Sequence, residues 1–366
     1  MNQLIARGKR ILCSFHSKQD KLFSLADNGL LSLARMAAGV AIAQLAGADA
    51  FAGYILLLTI QVLLQTIGAT LFITPMITVA AGLDRLARRD LFVWGRRRLL
   101  LPTLILLAFA SLSWVVLIPR GISVLTYTGF YASLVATLFV CYERAVLQVG
   151  FETRRALLGD GVGTLILAVG LLVGSIWLQD TVAGFWWGSA IGAAVSCLLM
   201  RYPQQPGSPR NVEPATRLRM RTMGKVMTVG SIANSACSRV QPFVLGAASG
   251  TLAVAHFGAA STLIGPLRML SGALGGVLRP RLSLHLSSGR PAGFRKAMYQ
   301  AYALTGGLGL CGVLVMLGFG PFLMRFLFGD EFAVSYSDPT AYAASRLASG
   351  CGGSSPIVTF KLLSSR

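Results

Sequence analysis

The feature that most constrains this chain is a succession of apolar runs, most of them about twenty residues long, broken by short basic segments. As helix, about twenty residues cross roughly 30 Å of hydrocarbon. No water is available there, so each run must satisfy its backbone within itself, and helix is the form that does so. The runs are Asn28 to Ala46, Phe51 to Ala81, Leu99 to Ile118, Ile122 to Cys141, Ala156 to Leu178 and Val182 to Met200. After a polar linker come Val226 to Ala248, Thr251 to Val277, and Ala297 to Met316, with an extension toward Phe322. The expected fold is an all-α integral membrane protein, a polytopic helical bundle of about nine transmembrane helices.

Composition agrees. Charged residues make up 13% of the 366 positions and hydrophobic ones 54%, with a mean hydropathy of +0.65. Soluble domains carry about 25% charge. The 41 glycines suit close helix packing in lipid. A net charge of +20 would suggest nucleic acid in a soluble protein, but no exposed basic patch with interleaved aromatics is visible. No nucleic-acid partner is expected.

The basic residues alternate with each crossing. They populate the N-terminal tail (Arg7, Lys9, Arg10, Lys18, Lys21) and the segment after the second run (Arg85, Arg88, Arg89, Arg96, Arg97, Arg98). They return at Arg144, Arg154 and Arg155, in the linker from Arg201 to Lys225, and from Arg279 to Lys296. The opposite connections hold Arg120 and Arg325. This asymmetry places the N-terminus and the linker in the cytoplasm. Residues 1–27 read as a basic cytoplasmic tail, 28–200 as a six-helix bundle, 201–225 as a cytoplasmic linker, 226–334 as an incomplete three-helix bundle, and 335–366 as a non-membrane tail. No cleavable signal peptide is visible, so the first run serves as the insertion signal. Trp94, Trp114, Tyr142, Trp177, Trp186, Trp187 and Tyr202 fall near run ends, as interfacial belts do, though each suits ordinary packing equally well.

No catalytic or metal constellation emerges. His16, His256 and His285 lie on separate segments, the six cysteines form no CxxC pair, and GALGG (residues 272–276) lacks the Lys-Ser/Thr of a phosphate loop. No metal and no cofactor are expected. Charged residues inside a span cost about 2.5–3.5 kcal/mol on insertion scales and usually face a cavity. Arg35, Arg239 and Arg268 are of this kind. At 1.5 Å per residue, Arg35 lies about 18 Å and Arg239 about 15 Å from the outer end. Two guanidiniums at mid-membrane can hold a phosphate or pyrophosphate, while the bland reading of each is snorkelling or a helix–helix bond. Gln61 and Gln65 share one helix face, as do Thr66 and Thr70, and Asn234, Ser235, Ser238 and Gln241 surround Arg239. These polar groups suit either sugar hydroxyls or helix stapling. Asp160 is the acid best placed for proton or sodium coupling, against a plain salt bridge to Arg154 or Arg155. Pro75 and Pro266 are expected to bend their helices.

The chain also carries a weak internal repeat. LARMAAGVAIAQLAGADAFAGYILL (Leu33 to Leu57) parallels CSRVQPFVLGAASGTLAVAHFGAAST (Cys237 to Thr262), and Arg35 stands 19 residues before Tyr54 as Arg239 stands 18 before Phe257. Parallel repeats of this kind mark transporters, here as two pseudo-symmetric halves.

The stretch AQLAGADAFAGY resembles the junction between the first two helices of polysaccharide flippases, in the superfamily that also holds multidrug and toxin extrusion transporters and lipid II flippases. VAHFGAASTLIGPLRMLSGALGGVLRPRLSLHL resembles that family's eighth helix and the turn after it, and FLMRFLFGDEF the loop after its ninth. The resemblance covers residues 28–334. It implies a flippase in the bacterial inner membrane that moves a polyprenyl-pyrophosphate-linked oligosaccharide, an anionic lipid-linked substrate, with membrane lipids and polysaccharide polymerase machinery as partners. It also implies at least twelve helices, whereas residues 337–366 hold no spanning run. The chain therefore reads as truncated or frame-shifted between Phe332 and Ser337. The alternatives are a multidrug or cation exporter of the same superfamily, an integral-membrane glycosyl- or acyltransferase, and an inactive remnant.

Overall fold

The computed structural model describes residues 2–328 apart from 81–82, 84, 118–121, 151, 202–211 and 288–290, together with 329 and 332. Side chains of residues 2–25 and 266–294 are outside the described set, as is the segment 333–366. All regular structure among the described residues is helical: α1 (Asn2–Gly68), a π-helical turn (Ala69–Ile73), α2 (Thr74–Ala80), α3 (Arg85–Arg98), α4 (Leu100–Leu117), α5 (Val124–Gly150), α6 (Thr153–Ile176), α7 (Thr181–Met200), α8 (Pro214–Arg239), α9 (Gln241–Ser287) and α10 (Pro291–Phe328).

The apolar stretches Ala26–Ala80 and Pro214–Gly265 run for 55 and 52 residues. As straight helix each would be roughly 80 Å long, far beyond one crossing. Both are hinged at a glycine: Gly47 with φ 79° and ψ 177°, and Gly250 with φ 85° and ψ −175°. This backbone region is essentially closed to side chains. Six stretches among the described residues are long and apolar enough to cross a membrane, where about nine spans were expected; divided at their glycines, α1 and α9 each contribute two arms. The molecule is all-α and membrane-like.

Helix ends follow from local chemistry. Asp180 accepts from the backbone N–H of Ala183 at 2.9 Å and so caps α7. The same carboxylate accepts from Ser123 at 2.5 Å, joining α7 to the start of α5. α6 and α7 meet along a glycine seam: a methyl on Gly170 would lie 2.5 Å from the Cα of Gly188, and one on Gly174 2.5 Å from that of Gly184. Only glycine permits that approach, and backbone packing replaces the hydrophobic drive that lipid removes.

The structure departs from the sequence reading in several places. Residues 2–27, expected as a tail, are helical and continuous with the first span. The basic segment after the second span is a helix, α3, with Leu91, Phe92 and Trp94 buried. The Tyr142 hydroxyl donates to Phe92 O, and Arg96 pairs with Glu143 at 3.0 Å, which docks α3 on α5. Residues 214–225, expected in the linker, are the first turns of α8 and continuous with the second half, and the seventh run is interrupted at Val240, between α8 and α9, where Pro242 can offer no N–H. Tyr142 and Trp186 are fully buried in the core rather than in an interfacial belt, whereas Trp177 is 82% exposed.

Pro75 sits just after the π-helical turn. Lacking an N–H, it cannot bond the carbonyl of Leu71 four residues back. Gly224 of α8 packs directly against that Leu71 oxygen, so the backbone irregularity in the first half is where the second half makes a close contact.

Candidate functional site

The two hinges meet. Asp49, two residues after Gly47, accepts a 2.7 Å hydrogen bond from Thr251, which follows Gly250. Nearby, the Gln44 amide donates to Leu327 O at 2.8 Å, and Phe51, Phe328 and Phe332 form an aromatic cluster. All these residues lie at the end of the molecule opposite the basic segments. The halves are tied there by polar bonds between the hinges and by rings around them.

From this closure toward the basic face, the first arm of α1 runs along α9. A methyl on Gly39 would meet Thr262 at 3.4 Å. Arg35 is one turn further, four residues back on the same helix face. It is exposed, and among the described residues it forms no hydrogen bond or ion pair. A guanidinium in this position offers its full fork of donors to a ligand.

The matching residues of the second half are placed differently. Arg239 closes α8 and is half-buried, with interactions inside the protein. Asn234 is exposed one turn earlier, and its carbonyl accepts from the Ser238 hydroxyl at 3.0 Å. Gln241 is half-buried at the start of α9. The side chain of Arg268 lies outside the described residues, as does that of Pro266. The hinge glycines bear on the repeat, since Gly47 follows Arg35 by 12 residues and Gly250 follows Arg239 by 11. Sequence reading missed both hinges, although each falls inside the aligned repeat.

Gln61 and Gln65 are engaged within the first half. The Gln61 amide donates to Ser133 Oγ at 3.1 Å and to Thr137 Oγ1 at 3.3 Å, and Gln65 donates to Thr137 at 2.6 Å. Ser133 continues to Ser189 of α7 at 2.9 Å. This ladder joins α1, α5 and α7 through the bundle interior. The hydroxyls of Thr66 and Thr70 bond back to their own helix. The geometry favours stapling over ligand contact for all four.

Asp160 belongs to a buried ionic cluster that sequence reading did not foresee. Its carboxylate lies 3.4 Å from Arg144 Nε, and Arg144 also pairs with Asp27 and donates to Asn28 Oδ1 at 3.1 Å. Asp27 and Asp160 are 2% and 5% exposed. The partner of Asp160 is therefore Arg144, not Arg154 or Arg155. Arg155 instead donates to Leu199 O and Arg201 O and faces Glu152 at 3.9 Å. The cluster fastens the basic-face end of α1 to α5 and α6. Buried charges survive only when paired in this way. No group of metal-ligating side chains occurs among the described residues.

The overall fold is similar to that of solved structures. The inward-facing conformation of a multidrug resistance MATE family transporter of the MOP superfamily matches with a TM-score of 0.62 at 14% identity, over 91% of this chain and 84% of that one. The fold is that of the MATE transporters. The outward-facing conformation of a MATE family transporter matches at 0.58, with 16% identity over 91% and 82% of the two chains. MATE in the bent conformation matches at 0.55, with 15% identity over 92% and 81%. No family model matches the sequence, and no curated protein does either.

Proposed function

We propose that this MATE-fold chain is a flippase that moves a polyprenyl-pyrophosphate-linked oligosaccharide across the bacterial inner membrane, with its N-terminus and basic face in the cytoplasm. The observation that carries the reading is Arg35, exposed and without an ion pair or hydrogen bond among the described residues, one turn from the Gly39–Thr262 contact between the halves. A fixed cation at mid-membrane selects an anion, and a planar fork suits phosphate oxygens. Arg239 is the second anchor, with Asn234 and Gln241 as candidate sugar contacts and Arg268 nearer the cytoplasmic end. The lipid chain stays in the bilayer while the halves rock about the hinge contact, as in alternating access. An inside-negative potential favours outward movement of the anion by about 2.3 kcal/mol per charge per 100 mV. Asp160 is then a structural residue, and no dedicated coupling site is required.

The second reading is a multidrug exporter, in line with what the solved relatives are named for. A cation site wants an uncompensated acid. Here Glu143 faces Arg96, Asp49 is bonded at the hinge, and Asp27 and Asp160 share the single cation of Arg144, which leaves that buried pair as the acid a cation would seek. Transport of a fluorescent polyprenyl-pyrophosphate oligosaccharide and of a lipophilic cation, measured side by side in vesicles, separates the two. Movement of the cation alone would exclude the flippase.

A further inference from the structure

Where α2 ends and α8 begins, at the basic face, lies a cavity of about 250 Å³ lined by Val79, Leu83, Glu213, Ala215, Thr216 and Arg219. Glu213 and Arg219 are both exposed, and neither side chain forms an ion pair or hydrogen bond among the described residues. An acid and a base thus line one cavity without bridging it. Arg88 donates to Ala80 O at 3.0 Å and Leu83 O at 3.1 Å, fixing the α2–α3 wall. Val79 and Leu83 form the apolar side of the cavity.

We propose that this cavity holds the headgroup of a primary-amine phospholipid, with the phosphate on Arg219 and Thr216 and the ammonium on Glu213. The volume is below the roughly 300 Å³ at which drug-sized pockets begin, so a headgroup fits and an oligosaccharide does not. A purely anionic lipid would satisfy Arg219 but face Glu213, and that like-charge contact disfavours it. A choline headgroup offers no N–H to Glu213. The apolar wall of Val79 and Leu83 receives the start of the acyl chains. Because α2 belongs to the first half and α8 to the second, a lipid bound here bridges the two.

The test uses the full chain in nanodiscs with phosphatidylethanolamine, phosphatidylglycerol or phosphatidylcholine as the varied lipid, scored by native mass spectrometry and thermal shift. The expected result is preferential retention of phosphatidylethanolamine, weakened about tenfold in both Arg219→Gln and Glu213→Gln, since each removes one charge-assisted bond. Arg221→Gln, an exposed change outside the cavity, serves as the control and leaves retention unchanged. Tighter phosphatidylglycerol binding in Glu213→Gln with no ethanolamine preference in the parent would show an anionic-lipid site and overturn the proposal. Equal retention of all three lipids, or insensitivity of both variants, would overturn it as well. Because the readout is binding, failure here leaves the flippase reading untouched.

Discussion

Two of the charged residues on the first arm of α1, Asp27 and Arg35, serve opposite ends. Asp27 is buried and locked with Asp160 onto Arg144, so three helices share one sealed ionic contact. Arg35, eight positions on, is exposed and has no ion pair or hydrogen bond among the described residues. A guanidinium that already has carboxylates contributes rigidity and has few donors left for anything else. One held without a partner contributes little to stability and keeps its binding capacity. The contrast separates scaffold from site within one helix.

The largest effect should come from the sealed side. Arg144→Met leaves two buried carboxylates without their cation, and should lower stability by about 3–5 kcal/mol in detergent unfolding. The triple change Asp27→Asn, Arg144→Met, Asp160→Asn should recover much of that loss. If the single variant unfolds like the parent, the cluster is not the clamp described here. Next comes the hinge beyond Arg35: Gly47→Ala forces a side chain into backbone that favours glycine alone, at about 1–3 kcal/mol. The equivalent change at Gly250 should cost about as much, so a large difference between them would break the two-fold comparison. Gln61→Ala removes a rung of the α1–α5 ladder and should cost about 1 kcal/mol, with substrate affinity unchanged. A loss of affinity at constant stability would return Gln61 to the binding site. Arg35→Gln should be the mildest for folding, within about 0.5 kcal/mol of the parent.

Much of this architecture was legible in the sequence because lipid imposes length and charge rules that act locally. Most of the apolar runs lie on helix among the described residues, and the arginines flagged inside spans include Arg35, which has no ion pair or hydrogen bond among them. The sealed cluster was not legible, since Asp27 and Arg144 are 117 positions apart and meet only through packing. Asp27 stood at the edge of a presumed tail, and Arg144 read as one more basic residue at a helix end. The stapling role of Gln61 and Gln65 was half legible: their shared face follows from helix periodicity, but their acceptors on α5 do not. α3 carried an amphipathic pattern in Leu91, Phe92 and Trp94 that its many arginines obscured.

The central claim is that Arg35 is held open for an anionic substrate. Its most direct test is the initial rate of polyprenyl-pyrophosphate oligosaccharide flipping in vesicles, parent against Arg35→Gln, with thermal stability measured on the same preparations. The account predicts that flipping collapses while stability holds, with partial recovery in Arg35→Lys, which restores the charge without the fork. An Arg35→Gln protein that flips at the parent rate would contradict it.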